Sequence, residues 1–192
     1  MFTTMKTPEI RAQQNAFALA GLRIAVGCLF LIFGQYKVFG TQFTLHGGFQ
    51  GWINKFVQDG AAYSFMIPVL TKFVLPHATG IAFLVAYGEF AIGLALVLGL
   101  WVRVASLFGL IYMLTLLFSS NFPGRGAPLW EYFGASLDHS VLALCCAAFM
   151  VARSDDVLSI KKHFFKANRV PERSETQDSN EIVGATGSEG RK

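Results

Sequence analysis

A single acidic side chain, Glu89, sits near the middle of the apolar stretch HATGIAFLVAYGEFAIGLALVLGLW, residues 77–101. About 20 apolar residues are what a helix needs to cross roughly 30 Å of hydrocarbon. A carboxylate at that depth costs on the order of 2.5–3.5 kcal/mol on insertion scales, so it must face other helices and find a partner there. The sequence therefore predicts an all-α, polytopic membrane protein whose bundle is arranged around Glu89.

Composition agrees. Of 192 residues, 53% are hydrophobic and 15% charged, against about 25% charged in a soluble domain. That is one membrane domain, with no room for a second large soluble core. The formal net charge of +4 gathers toward the chain ends, which suits an anionic leaflet and not a nucleic acid. The three cysteines, Cys28, Cys145 and Cys146, lie in apolar runs and read as packing residues. There is no C-x-x-C, no C-x-x-C-H and no dinucleotide fingerprint, so no metal, haem or nucleotide is expected.

Four spans follow from the apolar runs, at about 16–39, 77–101, 103–121 and 129–153, after a polar segment at 1–15. The first run is too long for a signal-peptide core and leads into further spans, so it reads as an uncleaved helix. Within the connection 40–76, Phe49, Trp52, Ile53 and Phe56 fall at i, i+3, i+4 and i+7, with Gln50, Asn54, Lys55 and Gln58 opposite. That pattern predicts an outer amphipathic helix lying in the interface. Residues 64–75 repeat it, with Pro68 early enough to be tolerated. Residues 154–169 read as a basic juxtamembrane segment, and 170–192 have the composition of a disordered tail. Lys6, Arg11, Arg103, Arg153 and the basic cluster after it fall on one side of this topology. Lys55, Lys72 and Arg125 fall on the other, which predicts the inner (plasma) membrane with both termini cytoplasmic.

The spans carry polar stripes. Arg23, Gly27, Phe30, Gly34 and Lys37 recur at spacings of 4, 3, 4 and 3, as do Ala82, Ala86, Glu89, Gly93 and Leu96. Each set shares one helix face, and small residues on that face let another backbone approach closely. Two readings of the cations stand: Arg23 and Lys37 turn inward toward Glu89, or they snorkel to opposite interfaces. Tyr112 and Thr115, on the stripe Ala105, Gly109, Tyr112, Thr115 and Ser119, offer hydroxyls to a buried carboxyl. Thr115 and Ser119 can equally satisfy their own helix carbonyls. Asp138 and His139 open the fourth span at the depth of Lys37 and His77, but adjacent helix residues cannot both face one site. Trp130, Tyr132 and Phe133 form an aromatic belt.

The stretch LRIAVGCLFLIFGQYKVFG, with Arg near its start and Gly-x-x-Lys near its end, resembles the first helix of the DoxX family. YGEFAIGLALVLGLWVRVASLFGLIYMLT resembles the family's Glu-x-x-x-Gly-x-x-Leu-x-x-Gly segment with its basic turn. The long outer connection is similar to that of the DoxD-type small subunits of thiosulfate:quinone oxidoreductase. The resemblance covers about 16–153, implies a four-transmembrane-helix bundle, and falls on Arg23, Gly34, Lys37, Glu89, Gly93 and Gly99. It implies a redox-associated subunit that interacts with quinone and takes its electrons from a partner oxidoreductase. Nothing in the NFPGRGAP loop or the tail marks a thiosulfate site.

On that reading Glu89, Lys37 and Arg23 are the catalytic polar cluster, Glu89 handling the proton, while Tyr112 and His139 contact the quinone. Two alternatives remain. In one, a non-catalytic assembly or binding protein uses Arg23, Lys37 and Glu89 as a lock between helices. In the other, a small proton-coupled transporter works as a homo-oligomer; an unwound mid-membrane helix would favour it, and no expected span is interrupted by Pro.

Overall fold

The computed structural model describes residues 7–133 and 138–152. The basic segment expected at 154–169, the tail at 170–192 and the first six residues lie outside them. Every regular element among the described residues is helical. Helix α1 runs Thr7–Phe39, α2 Thr41–Thr44 and α3 Gly48–Gln58. A short α4, Ile67–Val69, continues through a π turn at Leu70–Val74 and a 3-10 turn at Leu75–His77 into α5, Ala78–Leu98. Helix α6 is Val102–Ser120, a 3-10 turn follows at Leu129–Phe133, and α7 is Asp138–Val151.

Among the described residues three helical runs are long and apolar enough to cross a membrane: Ile10–Phe39, Ile67–Leu98 and Val102–Ser120. Helix α7 is apolar but shorter, with 14 residues. Helix α1 starts ahead of the expected boundary at 16. Its first turn carries Pro8, whose missing N–H costs nothing there, and Gln and Ala propagate the helix.

A second boundary is corrected. The segment 64–75 and the span expected from 77 are one continuous helical run from Ile67. Pro76 has no N–H and its ring crowds the carbonyl four residues back. Widening to a π turn and then tightening to a 3-10 turn carries the chain past it without a break.

Helices α1 and α5 pack antiparallel in a strict register: Gly34 meets Phe90, Leu31 meets Gly93, and Gly27 meets Val97. A Cβ on Gly34 would lie 2.9 Å from the Phe90 nitrogen, and one on Gly93 2.8 Å from the Leu31 nitrogen. Backbone therefore packs on backbone, the contact that lipid-solvated helices rely on in place of a hydrophobic drive. At the C-terminal end of α5 Gly99 takes the left-handed conformation, and the Leu100 N–H reaches back 2.9 Å to the Ala95 carbonyl, ending the helix. Helix α6 then begins within three residues, so the tight turn is 99–101 and Arg103 is already helical.

Among the described residues two hydrophobic clusters lie along the α1–α5 seam, called inner for the one nearer the α5–α6 turn and outer for the one nearer α3. The inner one gathers Val26 and Phe30 with Ile92, Leu96, Met113, Cys146 and Phe149. The outer one gathers Phe43, Phe49, Ile53, Ala62 and Leu70 with Ala82 and Ala86. The amphipathic reading of α3 thus meets the structure in this way: Phe49 and Ile53 are buried against the bundle while Trp52 stays 53% exposed.

The chain then crosses to the outer end of α6. The Tyr63 N–H donates to the Phe118 carbonyl at 3.0 Å, and the Phe122 N–H to the Ala61 carbonyl at 2.8 Å. The Tyr63 ring packs on Phe118 and Phe122, and its hydroxyl donates to the Tyr132 carbonyl at 3.0 Å. Burial, with Tyr132 beside it, pushes that hydroxyl above its ordinary range and keeps it a donor.

Candidate functional site: a buried ion pair closed by a tyrosine

Lys37 stands in the last turn of α1, Glu89 midway along α5, and Tyr112 on α6. The α1–α5 register brings Lys37 level with Tyr87, close enough for its long side chain to reach Glu89. Lys37 Nζ and Glu89 Oε2 form an ion pair and hydrogen bond. Lys37 Nζ also donates to Tyr112 Oη at 3.1 Å, and Tyr112 Oη donates to Glu89 Oε2 at 3.1 Å. The three groups close a ring of hydrogen bonds drawn from three helices. Glu89 is 5% exposed and Lys37 19%.

Apolar residues bound this ring on both sides along the helix axes. On α5, Ala86 belongs to the outer cluster and Ile92 to the inner one, with Glu89 between. The Lys37 ammonium lies 5.4 Å from the Phe43 ring centroid and 5.8 Å from that of Tyr112. A cation over aromatic faces is stabilised further where water is excluded. Phe30 packs on Tyr112 from the inner side at 6.5 Å between centroids. A low dielectric makes the pair's attraction strong, and makes either charge alone costly.

The other expected members lie elsewhere. Arg23 is fully buried, so it does not snorkel. It precedes Lys37 by fourteen residues, about 21 Å of helix, and the register puts it level with Trp101 at the inner turn. The expected cluster of Glu89, Lys37 and Arg23 is thereby corrected: helix length separates Arg23 from the acid. His139 is also set apart. Its Nδ1 lies 3.0 Å from Asn121 Oδ1 and 3.3 Å from Asp138 Oδ1. Asn121 is nine residues beyond Tyr112, about 13 Å along the α6 axis. Tyr112 and His139 therefore do not share one contact surface.

Thr115 Oγ1 donates to the Ile111 carbonyl at 2.8 Å, its own helix, and takes no part in the ring. His77 is exposed, its Nδ1 2.9 Å from the Phe73 carbonyl, and it lines a cleft of about 420 Å³ with Gln50 and Thr79. Among the described residues no group of three His, Cys, Asp or Glu side chains is placed to hold a metal ion. Phe43 is the contributor that sequence reasoning missed. It lies in the four-residue α2, too short for a periodic pattern to mark its inward face.

A family model described as DoxX matches residues 18–121, just over half of the chain, and takes in all three members of the ring. No curated protein and no solved structure matches the chain.

Proposed function

We propose that this chain, which belongs to the DoxX family, is a four-helix integral membrane subunit that binds quinone beside Lys37, Glu89 and Tyr112 and works with a partner oxidoreductase. In this reading α7, with the 3-10 turn before it, supplies the fourth span. Outer amphipathic segments lie at the interface, and both termini are cytoplasmic at the inner membrane. The observation that carries the proposal is the closed Lys37–Glu89–Tyr112 ring, held between two apolar clusters and flanked by aromatic rings.

A quinone head is a flat apolar ring with two carbonyl acceptors, and its two-electron reduction takes up two protons. Lys37 and Tyr112 are donors suited to a carbonyl, and Glu89 is suited to pass the proton on. Phe43 and Phe30 suit the apolar ring. The electrons come from the partner, because the sequence carries no redox motif of its own. Glu89→Gln in membrane-embedded protein tests this. Lost quinone binding in protein that still folds, with its stability lowered by the stranded Lys37 charge, is the expected outcome. Unchanged quinone binding by the folded fraction, alongside a loss of stability, would reject the redox reading.

That second outcome belongs to the assembly reading, which one observation favours. The three groups already satisfy one another, next to the glycine contacts of Gly27, Gly34 and Gly93. A transporter is less well supported. The irregular turns in the Ile67–Leu98 run end at His77, about 18 Å along the axis from Glu89 and not at mid-membrane.

A further inference from the structure

Gln35 presents a polar amide where hydrocarbon is expected. It follows Gly34, which meets Phe90, so it is level with Glu89, and α5 extends roughly half its length to either side. Its side chain is exposed, on the face of α1 turned away from α5, and makes no hydrogen bond among the described residues. Lipid tails offer nothing to its two donors and its acceptor. Gly21, Ala25, Cys28 and Ile32 are exposed on that same face, at spacings of 4, 3 and 4, with Gln35 a further 3 along. No ionised group interrupts them. The mean step of 3.5 residues keeps such a face against a like helix in a left-handed crossing.

We propose that α1 packs in parallel against α1 of a second copy of this chain, the two Gln35 amides bonding across the two-fold axis. An amide both donates and accepts, so it is complementary to itself, which is what a two-fold interface demands. Gly21, Ala25 and Cys28 add little bulk and let the two backbones close together. The seam from Gly21 to Gln35 is about 21 Å long, and so runs from the depth of Glu89 to the headgroup region, where Gly21 lies. This inference does not rest on the quinone reading.

The test uses the full chain in proteoliposomes under copper-phenanthroline oxidation. Cys28 sits on the seam, so the expected product is a Cys28–Cys28 covalent dimer, absent from Cys28→Ser. Leu29→Cys in the Cys28→Ser background points about 100° away and gives none. Gln35→Leu weakens self-association, read by fluorescence transfer between labelled copies, roughly tenfold. Gln35→Asn restores much of it, and the melting profile of each variant reports whether the fold survived. Equal cross-linking at positions 28 and 29 would overturn the proposal. So would a single-copy mass in nanodiscs, Gln35→Leu associating as well as the parent, or a Cys28 adduct to a protein of different size.

Discussion

Lys37 of α1 and Glu89 of α5 meet as an ion pair between the inner and outer apolar clusters, with the Tyr112 hydroxyl bridging them. The pair joins the outer end of the first long helix to the middle of the second. It also holds both charges where neither is stable alone.

Removing one charge is expected to cost far more than removing both. Lys37→Ala strands the Glu89 carboxylate and destabilises the bundle by about 3–5 kcal/mol, whereas Lys37→Met with Glu89→Leu recovers most of that loss. Denaturant titration of the three proteins in detergent, followed by circular dichroism, measures the difference. Similar losses in the single and double variants would mean the charges are not coupled.

Tyr112→Phe deletes a hydroxyl that accepts from an ammonium and donates to a carboxylate. It is expected to cost about 1.5–3 kcal/mol, the range for hydrogen bonds to charged groups. Thr115→Val, next to it on α6 but bonded to its own helix, stays within about 0.5 kcal/mol of the parent. The same unfolding titration compares them.

The sequence stripes placed Lys37, Glu89 and Tyr112 on inward faces, because a helix face is a matter of spacing. Which cation meets the acid depends on how far α1 slides along α5. That offset is set by Gly34 seating on Phe90 and Gly93 on Leu31, and a single helix's periodicity does not contain it. His139 shows a related limit. Its place at the start of a helix is readable from the sequence, but its position around the bundle follows from α6–α7 packing, which pairs it with Asn121. The start of the second span is a third case: the apolar run reads as beginning at 77, while the π turn before Pro76 and the 3-10 turn across it let the helix run through from Ile67.

Two glycine substitutions on α5 separate close packing from helix propensity. Gly93→Ala drives a methyl against the Leu31 backbone and is expected to cost about 1–3 kcal/mol. Gly88→Ala, with nothing within 4 Å of the new methyl, is expected to be neutral or to stabilise by about 0.5–1 kcal/mol. Thermal unfolding midpoints of both variants decide the matter.

On the quinone reading, Tyr112→Phe lowers quinone affinity about tenfold, and His139→Gln leaves it within about twofold. Fluorescence quenching by a soluble quinone analogue gives both numbers. The reverse ranking would move the site outward to the Asn121–His139 pair.

The proposed orientation has its own check. Trp52→Cys is expected to react with a membrane-impermeant maleimide added outside intact cells, and Arg103→Cys only after the cells are permeabilised. The opposite pattern would invert the topology.

The partners of the central pair are 52 positions apart in the chain. During synthesis the ribosome delivers the cation to the bilayer before the acid has been made. Neutralisation in the membrane therefore comes late in biogenesis, once the Glu89 helix has docked, and a nascent chain halted between the two helices carries a charge that nothing of its own has yet cancelled.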